Sequence, residues 1–175
     1  PATQKLIASR PRISLQLAAA VAELADVQAC AALARNSGAD IATISFRRII
    51  ERHGDNADLR RALLEHPSLP QDCRHMLVVR VGEALKKSPF LQRSVGATRA
   101  ERITRDACTR ASLTLIDGTP AGEHGALVEH LRLSGDLTSS FVIRTVAHGK
   151  IDFFGASLIA LTGQAEHRVR ALLAN

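Results

Sequence analysis

Tryptophan and tyrosine are absent from this 175-residue chain, phenylalanine occurs five times and methionine once. Base stacking on aromatic platforms is therefore scarcely available, which disfavours single-strand nucleic-acid binding. The core has to be assembled from Leu, Ala, Ile and Val, small side chains that suit closely packed helices. Cysteine is sparse and odd in number. Cys30, Cys73 and Cys108 match neither a zinc ligand pair nor a redox Cys-x-x-Cys, and each lies in Ala/Leu-rich surroundings where a free cysteine acts as a small buried hydrophobe. No apolar run approaches the ~18 residues of a membrane span, and the opening Pro1 to Ile7 lacks a signal-peptide pattern, so the expected location is cytoplasmic.

Motifs of catalysis are missing as well. There is no His-Glu-x-x-His, no Gly-x-Ser-x-Gly and no glycine-rich nucleotide loop. Glu123-His124 and Glu129-His130 look superficially like a metal group. Six-residue spacing on a helix sets the two histidines about 240° apart, however, so they do not share one ion. Ser139 and Ser140 fall where a helix cap and first turn are expected. The expectation is a chain with no catalytic residues, no metal and no cofactor.

Hydrophobic residues at 46% and charged residues at 23% describe a folded protein. Ala, Leu, Arg and Glu dominate, residues that lose little rotamer freedom in a helix, and strand-like alternation is never sustained. Internal echoes organise the chain. Ala32 to Asn36 recurs thirty residues later as Ala62 to His66, and the segment from Gly54 to Leu64 is echoed by Gly163 to Leu173. Such periods predict helix pairs that bury their apolar faces by stacking on neighbours.

Local chemistry marks the ends. Gly54 is expected to take a left-handed position after a helix from Ser45 to His53, and a second helix follows over about Ala57 to Glu65. Pro70 suits a helix start, with Met76, Leu77, Val81 and Leu85 forming one stripe to about Lys87, and Ser88-Pro89 ends it. Arg99 to Ile116 carries Ile103, Ala107, Ala111 and Leu115 at helical spacing, and Thr119 is expected to cap the restart after Asp117-Gly118. Thr138 reads as an N-cap with Leu137 and Val142 as a staple, and Gly149 as a stop. Asp152 opens the most apolar stretch, through Leu161, expected to be the best-buried helix, and Gly163 closes it. Because Ala174-Asn175 aligns with the residues just before the Pro67 turn, the sequence reads as a piece of a longer protein. The whole is expected to form one helical-repeat domain over 1–175, with sub-units 1–90 and 97–175.

Leu33-Ala-Arg-Asn36, Gly54-Asp55, Arg60 to Pro70, and above all Leu127 to Thr138 followed by Phe153-Phe154 and Arg168 to Leu172, resemble an uncharacterised alphaproteobacterial family of helical-repeat proteins of unknown function. The resemblance implies a HEAT-like or leucine-rich-repeat-variant fold and carries no activity to any residue.

The net charge is +6. The excess is densest in residues 91–110, where Arg93, Arg99, Arg102, Arg105 and Arg110 face only Glu101 and Asp106. Arg99, Arg102, Arg105 and Arg110 lie near one face of one helix. Guanidinium forks bind carboxylate or phosphate bidentately, although a solvated helix face is the plainer account and arginine outnumbers lysine throughout. Asp55, Asp58, Arg60 and Arg61 are read as a structural ladder between repeats rather than a ligand site. The leading expectation is an all-α stack of short antiparallel helix pairs, a HEAT-like α-solenoid, serving as a non-catalytic scaffold for a protein partner. The alternative is double-stranded nucleic-acid binding through the arginine face, with a HEAT-like glycosylase activity as its weakest form.

Overall fold

The protein is described here from a computed structural model covering residues 2–173. Twelve α-helices and one 3-10 turn account for the regular structure, and no strand occurs among the described residues. The chain divides into two compact units, Pro1–Thr104 and Arg105–Asn175.

The first unit contains α1 (Ala2–Ala8), α2 (Leu15–Leu24), α3 (Val27–Ala34), α4 (Thr43–His53), α5 (Ala57–Glu65), α6 (Gln71–Lys86), α7 (Pro89–Val95) and the start of α8 (Ala97–Asp117). Polar side chains start these helices by accepting orphan backbone N–H groups: Ser14 from Leu17, Asp26 from Ala29, Asn56 from Leu59 and Ser88 from Leu91. Two layers result. The helices α2, α4 and α6 stack in one, while α1, α3 and α5 stack in the other. The echo between Ala32–Asn36 and Ala62–His66 is therefore structural. Leu33 and Leu63, thirty residues apart, are both fully buried on α3 and α5, which pack against each other.

Arginines tie the first layer together. From α4, Arg52 donates to the carbonyls of Ala22 at 2.6 Å and Ala25 at 3.1 Å, at the end of α2. From α6, Arg80 reaches the Glu51 carbonyl at 3.4 Å, at the end of α4. Nε and Nη2 of Arg47 converge on the buried Asp72 carboxylate at 2.6 and 2.5 Å. The ladder expected at Asp55 to Arg61 is thus carried mainly by other residues. Arg60 folds back onto the Gly54 and Asp55 carbonyls of its own turn, and of these four, among the described residues, only Asp55, in the turn after α4, forms an ion pair, with Arg80 of α6 at 3.8 Å. Asn36 is a further clamp, donating to the carbonyls of Ala8 and Arg10 while accepting from Gly38 N–H.

Gly54 ends α4 at φ −60°, not in the left-handed region. Its need for glycine is spatial: a Cβ there would run into the Ile50 carbonyl oxygen and press on Arg80 Cγ. Ser88-Pro89 both ends α6 and starts a further helix, α7, with Ser88 as its cap and Pro89 as its first residue.

The second unit contains the end of α8, the 3-10 turn Ala121–Glu123, α9 (His124–Ser134), α10 (Ser139–Ala147), α11 (Ile151–Thr162) and α12 (Glu166–Leu173). Leu113, Ile116, Leu127, Val128, Leu131, Phe141 and Phe153 form its core. Thr138 caps α10 through Phe141 N–H, and Gly149 and Gly163 stop their helices at φ 70° and 65°, as the sequence predicts. Thr119 does not cap a restart. Its hydroxyl donates backwards to the Leu115 carbonyl at 2.7 Å and so completes the end of α8. The apolar α11 is not the best-buried helix either. Only Phe153, Gly155 and Ser157 are buried on it, whereas α3, held between α1 and α5, buries five of its eight residues. No helix among the described residues is long and apolar enough to cross a membrane.

Candidate functional site

All four arginines singled out in the sequence stand on α8, and all four are exposed: Arg99, Arg102, Arg105 and Arg110. Arg99 and Arg102 belong to the first unit, and Arg105 and Arg110 to the second. Among the described residues, Arg99, Arg102 and Arg110 enter no ion pair within 4 Å, unlike Arg47, Arg48, Arg80 and Arg132. Arg99, Arg102 and Arg110 are thus cations left without a carboxylate partner among the described residues. The stripe of Ile103, Ala107, Ala111 and Leu115 is not the buried face: Ile103 and Ala107 are exposed. Burial falls instead on Ala100 and Thr104 in the first unit and on Ser112, Leu113 and Ile116 in the second. These residues do not fall on one 3.6-residue stripe, which is why a single helical period misplaced them.

The second unit also holds a cleft of about 860 Å³ between the start of α9, the outer side of α11 and α12. Small residues open it. Gly155 and Ala156 leave room on α11, and a Cβ at Gly155 would reach Leu173 Cδ1 at 3.1 Å. His124, 8% exposed, lines its base. The imidazole Nε2 lies 3.1 Å from the Thr119 carbonyl and so carries the proton, and the ring meets Phe153 edge-on at 5.6 Å. At the rim, Arg170 pairs with Glu166 at 2.6 Å. No single motif announces this cleft, because its lining comes from residues as far apart as Ala121 and Leu173.

The other polar candidates are dispersed by the structure. His124 is fixed in the core, while Glu129 forms a two-bond pair with Arg132 at 2.7 and 2.8 Å, which holds its carboxyl below the usual range. Ser139 and Ser140 occupy the exposed first turn of α10. Among the described residues no group of three or more His, Cys, Asp or Glu side chains is placed to hold a metal ion.

No curated protein and no solved structure matches the chain. A bacterial family does match it over residues 1–175, and the chain belongs to that family, described as an uncharacterised protein conserved in bacteria (DUF2336).

Proposed function

We propose that this chain is a non-catalytic scaffold of HEAT-like repeat type, acting in the bacterial cytoplasm by binding a protein partner with an acidic surface. The observation that carries this reading is the pair of exposed guanidinium groups of Arg99 and Arg102 on the first unit's part of α8, which enter no ion pair among the described residues. Arg47, Arg52 and Arg80 tie helices of the first unit together; Arg99 and Arg102 do not. Stacked helix pairs commonly present such extended faces to partners, and an alphaproteobacterial source accords with the motif resemblance. The test is the double substitution Arg99→Glu with Arg102→Glu. Helix content should be unchanged, since neither side chain holds the fold, and retention of the acidic partner should drop. Unchanged retention discards the face.

A second reading uses the same cations for duplex nucleic acid. It is favoured by the one-sided charge of residues 91–110, five arginines against two acids. Each phosphate contact releases counterions, so log affinity would fall with log salt by about 0.9 per contact. A flat salt dependence would discard it. Nothing in the placement of Glu101 or Asp106 favours a glycosylase-like form, since neither lines the cleft.

A further inference from the structure

The end of α6 and the start of α7 carry large apolar side chains that the fold leaves exposed. Val81 and Leu85 share one face of α6 and are 36% and 43% exposed. Phe90, the second residue of α7, is 80% exposed. Its projection is built into the turn. Ser88 caps α7, Pro89 sets the first helical position, and Gln92 Nε2 donates back to the Lys86 carbonyl at 2.6 Å.

The charge along this segment is mainly positive. Between residues 81 and 100 there are four cations, Lys86, Lys87, Arg93 and Arg99, and one acid, Glu83. Lys86 takes up that acid at 2.8 Å. Lys87 and Arg93 are exposed and enter no ion pair among the described residues.

We propose that this corner is a peripheral contact with an anionic lipid surface. Phe90, supported by Leu85, enters the boundary between headgroups and acyl chains, and Lys87 and Arg93 meet lipid phosphates. A phenyl ring that projects needs a partner that yields to it. A lipid interface does so for any ring, whereas a protein partner has to supply a fitted pocket. A polyanion such as DNA would use the cations and leave Phe90 in water. The contact lies on the membrane rather than across it, and it is independent of the protein-binding reading of α8. With one ring and few cations it is reversible, each cation contributing roughly a fivefold factor in partitioning.

The chain has no tryptophan, so Phe90→Trp places a single emitter at an already exposed site. The full chain carrying it is mixed with vesicles of phosphatidylcholine alone or of phosphatidylcholine with phosphatidylglycerol. On the anionic vesicles, emission should shift to the blue and be quenched by acyl-brominated lipid; on the neutral ones it should do neither. Adding Lys87→Glu and Arg93→Glu should weaken binding by roughly 25-fold or more, two fivefold factors before repulsion is added. Co-sedimentation of the chain with its native Phe90, with and without the two charge reversals, repeats the test should the tryptophan disturb folding. The proposal is overturned if anionic vesicles are not bound, if the charge reversals leave binding unchanged, or if bound chain keeps its tryptophan unshifted and unquenched. That last result would mark simple polyanion binding.

Discussion

Replacing Arg52 by Met removes the tie between α4 and α2 while keeping most of the aliphatic stem. Two bonds to carbonyls are lost, at 2.6 Å to Ala22 and 3.1 Å to Ala25, both on residues buried to within a few per cent. A hydrogen bond to a charged group contributes about 1.5–3 kcal/mol, and a buried acceptor left without a partner costs about 1–3 kcal/mol. The Ala25 carbonyl keeps His53 Nε2 at 3.2 Å, so the full penalty falls on Ala22 alone. The expected loss is about 2–4 kcal/mol. The comparison is Arg80→Met, one layer on, where the contacts are 3.4 and 3.8 Å and the side chain is more than a third exposed. That change should cost about 0.5 kcal/mol. With no Trp or Tyr to follow, urea unfolding is read by far-ultraviolet circular dichroism, taking the transition of the first unit. For a unit of this size about 3 kcal/mol corresponds to roughly 12–24 °C in Tm. If the two variants differ by less than about 1 kcal/mol, on the scale of this hydrogen-bond reasoning, the arginine tie is not what holds α4 to α2.

Gly54→Ala should destabilise the first unit by about 1–3 kcal/mol because the new methyl meets backbone, while Gly125→Ala, with open space around it, should stabilise the second by about 0.4–1 kcal/mol. His66 is buried against Phe46 at 5.0 Å, and burial, with the Arg74 charge beside it, holds its pKa below the usual value. The folded state then binds fewer protons than the unfolded one, so stability should fall as pH drops from about 6.5 through the lowered folded value, and His66→Asn should flatten that slope in pH-dependent urea titrations. Burial pushes the thiols of Cys30 and Cys73 up to about 11 and about 12. An aromatic disulfide reagent at mildly alkaline pH should therefore titrate at most one of the three cysteines in the native chain and all three in urea; rapid native reaction of two or more would contradict the buried placement.

The legible parts of the fold were those decided by neighbours in sequence. Thr138, Gly149 and Gly163 act within a few residues of themselves, and the structure places each as its local chemistry dictates. The misplaced parts depended on distant neighbours. Gly54 is glycine because Arg80 and the Ile50 carbonyl crowd it, and nothing in the local pattern distinguishes that from a left-handed stop. Leu113 and Ile116 are buried while Ile103 is not, because each portion of α8 meets a different set of partners. The apolar α11 lines a cleft on the side where a fully buried helix would be covered. Of the candidate site, the arginines were visible by composition, but the lack of ion pairs at Arg99, Arg102 and Arg110 among the described residues is a property of the fold alone. Arg47 and Arg52 carried no motif that set them apart from surface polar residues, and Asn36 stood out only as the end of a repeated segment, yet all three join elements of the first unit.

The central claim is that α8 presents unneutralised arginines to an acidic protein. Its most direct test is retention of partners from a bacterial lysate at low salt, by the wild-type chain and by the Arg99→Glu, Arg102→Glu variant, each with and without nuclease. The account predicts a discrete protein that survives nuclease on the wild type and is lost on the variant. Retention that collapses with nuclease, or a protein held equally by both chains, contradicts it.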